Sequence, residues 1–232
     1  MQGQLQRALQ LTRTVELRLD WLRNQREVAT LLEWLRTQRR REGTTLLATC
    51  RRIDAGGKFA GTVLDQLAIL RLAIECGCAC ADVEIESARQ LRTGGLSHVL
   101  GPGGQVVSYH NFKETPRSLD AKVRELEHAG GTVAKVATQC ESIADSLRIL
   151  KLARSKSNVI AIPMGAAGLP ARVLALREGS ALAYAPVEEA TAPGQVSLEE
   201  FKRVYRADKL NLRTKVFGVI GNPVSHSLSP RM

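Results

Sequence analysis

Aromatic side chains are scarce here: two Trp, three Tyr and four Phe make up 4% of 232 residues. The core must therefore be aliphatic. Leu, Ile and Val recur along the whole length, which excludes general disorder. No run of about 18 apolar residues occurs, so a transmembrane helix is excluded and no membrane partner is expected. The stretch from Met1 to Trp21 lacks an apolar h-region and a small-residue cleavage site, which argues against a secretory signal. No C-x2-C pair is present; Cys76, Cys78 and Cys80 form C-x-C-x-C, with Cys50 and Cys140 alone. Structural zinc sites favour C-x2-C pairs, so these read as small buried cysteines and no metal is expected. An odd count without a signal peptide points to a reducing cytoplasm. The densest basic run, Arg39–Arg41, has no interleaved aromatics, and no zinc-finger or helix-turn-helix spacing follows. The net charge of +10 thus reads as a basic surface plus a site for an anionic small molecule, without a nucleic-acid partner.

What is present is alternation. Strand candidates are Val15–Asp20, Thr44–Arg51, Ala81–Glu86, Gln105–Phe112, Thr132–Thr138, Asn158–Gly165 and Leu182–Pro186. Amphipathic helices fall between them at Val63–Glu75, Ser118–Ala129, Ser142–Ala153 and Leu169–Leu176. Strand, helix, strand, repeated, predicts a parallel sheet with right-handed crossovers. Polar residues share one face of each strand: Glu16, Arg18 and Asp20; Thr49 and Arg51; Asp82, Glu84 and Glu86; Ser108 and His110. An open parallel sheet covered by helices accommodates so many ionisable groups poorly. A barrel interior, with its active site at the C-terminal rim, accommodates them. Seven strands are one short of a (β/α)8 barrel, and the missing strand would be the first.

Lys135 carries the sharpest chemical signal. It sits mid-strand among small apolar residues, where burial favours a neutral amine. A neutral amine is what imine chemistry with a ketone requires. A lysine paired with an interior carboxylate, Glu84 or Glu16, remains the alternative. His110 ends the preceding strand, about 4.8 Å away across a parallel pair, and histidine is the usual proton shuttle near neutral pH. Arg172 follows the glycine-rich turn Met164–Gly168, a place where late barrel loops hold anions; a surface arginine on the next helix is the other reading.

Several segments together resemble type I 3-dehydroquinate dehydratases. They are S-Y-H-N-F-x-x-T-P (Ser108 to Pro116), A-K-V-A-T (Ala134 to Thr138), M-G-x-x-G-x-x-x-R (Met164 to Arg172) and A-T-A-P-G-Q (Ala190 to Gln195). E-L-R-L-D (Glu16 to Asp20), T-C-R (Thr49 to Arg51) and D-V-E (Asp82 to Glu84) match in order and spacing as well. The resemblance runs from about Leu9 to Leu210. It implies a (β/α)8 TIM-type barrel, here lacking its first strand, that converts 3-dehydroquinate to 3-dehydroshikimate and water in the shikimate pathway. It implies that Lys135 forms the imine and that His110 moves the proton. It implies that Arg172 binds the substrate carboxylate, with Glu16, Arg18, Arg51, Thr191 and Gln195 lining the pocket. No cofactor is implied, because the imine is the electron sink. A homodimer is compatible with this reading.

The residues from Phe217 to Met232 resemble the opening of shikimate dehydrogenases, in which the serines of H-S-x-S-P, here Ser227 and Ser229, bind shikimate. The expected organisation is thus a dehydratase barrel over residues 1–212, N-terminally incomplete, and a truncated dehydrogenase start over 213–232, as in bifunctional fusions. Dehydrogenase activity is not expected without that enzyme's lysine and nucleotide-binding domain. One departure concerns the histidine: Ala55 stands where the family has a glutamate before Gly56-Gly57, and Asp54 is the nearest carboxylate. The alternative to a working dehydratase is a catalytically impaired fragment of the bifunctional enzyme. Another imine-forming lyase on the same fold fits less well, because the loop motifs match along with the lysine.

Overall fold

The structure is a computed structural model that describes residues 1–39, 41–91, 95–187 and 196–217. In chain order its helices and strands are α1 (Gln2–Leu11), β1 (Thr14–Arg18), α2 (Gln25–Thr37), β2 (Thr45–Thr49), α3 (Val63–Glu75), β3 (Cys80–Glu84), α4 (Ile85–Ala88), α5 (Gly95–Leu100), β4 (Gly104–Asn111), α6 (Leu119–His128), β5 (Val133–Gln139), α7 (Ile143–Ser155), β6 (Val159–Met164), α8 (Leu169–Leu174) and α9 (Leu198–Arg203). The strands follow one another in sequence order, β1-β2-β3-β4-β5-β6. Parallel register is explicit for β1/β2 (Glu16 opposite Leu47), β2/β3 (Thr49 opposite Asp82) and β3/β4 (Glu84 opposite Ser108). No described helix is long and apolar enough to cross a membrane.

The chain forms two compact units. The first comprises Met1–Asn111 and Pro116–Ala137, the second Phe112–Thr115 and Thr138–Met232. In the first, helices start where their side chains take up free backbone donors. Asn24 accepts from Glu27 at the start of α2, and Thr62 and Asp65 close a capping box on α3. Helix α3 then presents Val63, Leu67, Leu70 and Ala73 to the interior, and Leu70 is fully buried. We expect Leu70→Ala to cost about 2–5 kcal/mol, read from the midpoint of urea unfolding; a loss under about 1 kcal/mol would contradict this packing.

In the second unit the tail of β5 runs beside β6, with Cys140 N donating to Met164 O. Helix α7 begins with a Ser142–Asp145 capping box. Val173, Val196, Phe201 and Ala207 form a local core. Six strands are present among the described residues rather than seven. Leu182–Pro186, expected as a strand, carries no ladder. Ala181 N donates to Val159 O, but the next donor on that edge, Ala161 N, is taken by the Ser180 side chain. Proline at 186 then removes a further donor. The other six expected strands appear within two residues of their anticipated ends, and α3 matches its anticipated span.

Candidate active site

The polar face of β1 to β5 converges on Lys135, whose side chain is 5% exposed. Its Nζ donates to Asp82 Oδ2 at 2.7 Å and lies 3.6 Å from Glu16 Oε1. The lysine's carboxylate partner is therefore chiefly Asp82, with Glu16 second. Glu84, one of the two expected partners, is engaged elsewhere. It accepts from Gln66 Nε2 at 2.5 Å and from Arg52 N at 2.9 Å, and lies 3.3 Å from Arg51. Burying so many charges is tolerable only because each meets an opposite charge or a donor.

Arg51, 5% exposed, joins this network from the C-terminal end of β2. Its Nη2 lies 2.8 Å from Asp82 Oδ2, and its Nη1 donates to Ser108 Oγ at 2.7 Å. Ser108 in turn donates to Asp82 Oδ1 at 2.6 Å. Thr49 donates to Glu16 at 2.7 Å. Burial opposes the Asp82 charge, but Arg51 and Lys135 hold its carboxyl well below the usual carboxylate range. Burial would lower the Arg51 guanidinium, yet Asp82 and Glu84 hold it above its ordinary value. The Cys50 thiol is pushed up to about 12, mainly by burial and then by Asp20 and Glu84, so it is no nucleophile near neutrality.

His110 lies near the end of β4, two residues beyond Ser108, with its Nδ1 sealed from solvent. Burial, then the charges of Arg51 and Lys135, push its imidazole well below the ordinary range, while Asp82 pulls the other way. It is thus a neutral base within the field of the lysine. Asp54 does not take the place of the family's glutamate: its side chain is 88% exposed and lies 4.0 Å from Arg52. Asp82 is a carboxylate whose charge does act on His110. Glu86, expected on the same face as Asp82 and Glu84, is exposed because β3 ends at Glu84 and the chain turns into α4.

Arg18 closes β1 with a bidentate bond to Asp20 (2.9 and 2.8 Å). Asp20 also accepts from Lys58 N at 3.2 Å, and Lys58 Nζ sits 3.7 Å from the centre of the Trp21 ring. The loop after β2 is thereby tied to the end of β1. That loop needs glycine at 57, where a Cβ would collide with the Arg51 carbonyl oxygen. Arg172 belongs to the second unit, on α8. Burial lowers its guanidinium, and no ion-pair partner occurs for it among the described residues. Thr191, Gln195, Ser227 and Ser229 lie outside the described residues. Sequence reasoning passed over Gln66 and gave Asp82 and Ser108 only a face. Gln66, on a helix, carried no strand-parity signal at all.

A parallel α/β sheet that gathers a buried lysine, a neutral histidine and ion-paired carboxylates near its strand C-termini has the build of a barrel-type enzyme. The profile of the type I 3-dehydroquinase family matches residues 1–211. The chain is 34% identical over 222 residues to the bifunctional 3-dehydroquinate dehydratase/shikimate dehydrogenase of Arabidopsis thaliana, covering 93% of this chain and 36% of that protein. It is 35% identical over 193 residues to the 3-dehydroquinate dehydratase of Methanothermobacter thermautotrophicus, covering 82% of each. The crystal structure of the 3-dehydroquinate dehydratase from Aquifex aeolicus superposes with a TM-score of 0.70 at 26% identity, over 92% of this chain and 94% of that one. The chain belongs to the type I 3-dehydroquinate dehydratase family, lyases of the shikimate pathway with a TIM-type fold. It spans about a third of the bifunctional relative and most of the single-function one.

Proposed function

We propose that this chain dehydrates 3-dehydroquinate to 3-dehydroshikimate, with Lys135 as the imine-forming amine and His110 as the proton shuttle. The observation that carries this reading is the pair itself: a buried amine in contact with Asp82, beside an imidazole held neutral. Lys135 gives up one ammonium proton, the neutral amine attacks the substrate ketone, and the carbonyl oxygen takes that proton and the second nitrogen proton and leaves as water, giving an iminium. His110 takes the adjacent proton, and the C–H electron pair flows towards the iminium nitrogen. The enamine then expels the neighbouring hydroxyl, which leaves as water with the proton from His110. Hydrolysis of the iminium frees the product and the amine.

By the family resemblance, Arg172 receives the substrate carboxylate, and Glu16, Arg18, Arg51, Thr191 and Gln195 hold its hydroxyls. An arginine with no ion-pair partner among the described residues suits that role, because a carboxylate can meet it in a bidentate way. Residues 1–212 are read as the dehydratase part and 213–232 as the opening of a shikimate dehydrogenase domain. The partner is a small anionic substrate rather than nucleic acid, a homodimer fits the reading, and five free thiols suit a reducing cytoplasm.

The test is the appearance of the conjugated enone chromophore when the purified chain meets 3-dehydroquinate. No chromophore from a folded chain would favour the impaired-fragment alternative. Arg172→Ala should raise KM by about 10–100-fold, the loss of one charged pair, with a smaller change in kcat. A KM unchanged by Arg172→Ala would remove that arginine from the substrate site.

A further inference from the structure

Three carboxylates surround the two interior cations among the described residues, and Asp82 makes the shortest contact given for the lysine nitrogen. Glu84 is occupied by Gln66, Arg52 and Arg51. Glu16 stands 3.6 Å from Nζ, is 19% exposed and accepts from Thr49. Asp82 has no exposed side-chain surface and touches Nζ at 2.7 Å. Both of its oxygens are fixed. Oδ1 takes the Ser108 hydroxyl at 2.6 Å, and Oδ2 takes Arg51 at 2.8 Å along with Lys135. Ser108 already accepts from Arg51, so its own proton points at the carboxylate. The aspartate therefore has one orientation, set by Ser108 within β4 and by Arg51 just beyond β2.

We propose that Asp82 is the counter-charge of the iminium formed on Lys135, held in place for that task by Ser108 and Arg51. The proposal rests on the imine reading above. When the deprotonated amine becomes an iminium, positive charge returns to the same nitrogen, next to Oδ2. Proton removal by His110 is driven by that charge, and a neutral imine is a far weaker electron sink. An adjacent carboxylate stabilises the protonated form and so keeps the sink charged to higher pH. Asp82 remains ionised and takes no proton in the cycle. Ser108, which acts through its hydrogen bond to Asp82, is a positioning residue. Among the described residues, the other charged or titratable groups bearing on this point include Glu16 on β1, Arg51 beyond β2, His110 on β4 and, acting on His110, Arg18 on β1. Arg51 opposes the effect of Asp82 on the nitrogen, and Glu16 adds to it from further away.

The test uses the full chain, unaltered and as Ser108→Ala, Asp82→Asn and Asp82→Glu, each checked for folding by circular dichroism. Kinetics with 3-dehydroquinate would be followed across pH, alongside the rate at which borohydride traps the adduct. Displacing the counter-charge lowers the pH at which the iminium loses its proton. Ser108→Ala should move the alkaline limb of kcat down by about one pH unit and lower kcat roughly tenfold above it, with KM little changed. Asp82→Asn should do more in the same direction, and Asp82→Glu should restore part of the limb. Trapping, which needs the protonated iminium, should slow most at alkaline pH.

Ser108→Ala removes one hydroxyl and leaves the Arg51–Asp82 contact in place, so it decides the matter even where Asp82→Asn does not fold. An alkaline limb and a trapping rate unchanged in folded Ser108→Ala would overturn the proposal. Absence of any adduct in the unaltered chain would instead overturn the imine reading beneath it.

Discussion

Replacing Lys135 should abolish turnover, with kcat/KM falling on the order of 10⁴-fold or more, because its amine is the covalent electron sink of the proposed reaction. Two variants separate chemistry from charge. Lys135→Arg keeps a cation beside Asp82, which the network needs, but a guanidinium is not deprotonated and forms no imine. Lys135→Met fills similar volume and leaves Asp82 balanced by Arg51. Both should be inactive, and Lys135→Arg should be the more stable because it retains the ion pair. If Lys135→Arg retained more than about a tenth of the activity, covalent catalysis through this residue would be wrong.

His110→Ala should lower kcat by about 10²–10⁴-fold, the usual contribution of a positioned acid–base group, while leaving imine formation in place. The adduct should then accumulate, because the step after it is the one slowed. In the unaltered chain burial and two neighbouring cations keep the imidazole neutral below its ordinary range. The acid limb of kcat/KM should therefore fall below the ordinary histidine value of about 6.5. Activity would persist as pH falls through that value and fade only as His110 finally protonates. A His110→Ala variant with unchanged kcat, or a limb at or above 6.5, would assign the proton transfer to another group.

Strand parity puts alternate residues on one face, so Glu16, Thr49, Asp82 and Ser108 were legible as polar members of strand faces before any geometry was known. Lys135 was legible for a different reason, as a lysine placed mid-strand among small apolar residues. Parity does not say which carboxylate meets which cation. Asp82 outcompetes Glu84 because a helix side chain, Gln66, reaches in to occupy Glu84, and no period reports such a crossing. Leu182–Pro186 had strand composition but found its neighbouring edge capped by the Ser180 hydroxyl. Asp54 was adjacent in sequence to the position of interest, yet the short turn Ile53–Ala55 directs it to solvent beside Arg52. These outcomes depend on rotamers and on contacts distant in sequence, which local pattern leaves open.

The central claim is that Lys135 forms a covalent imine with the substrate ketone. Incubating the folded chain with 3-dehydroquinate, reducing with borohydride and sequencing the peptides by mass spectrometry tests it directly. The account predicts one stable adduct, carried on the peptide that contains Lys135 and absent from Lys135→Arg. Turnover without an adduct, or an adduct on a different lysine, would contradict it.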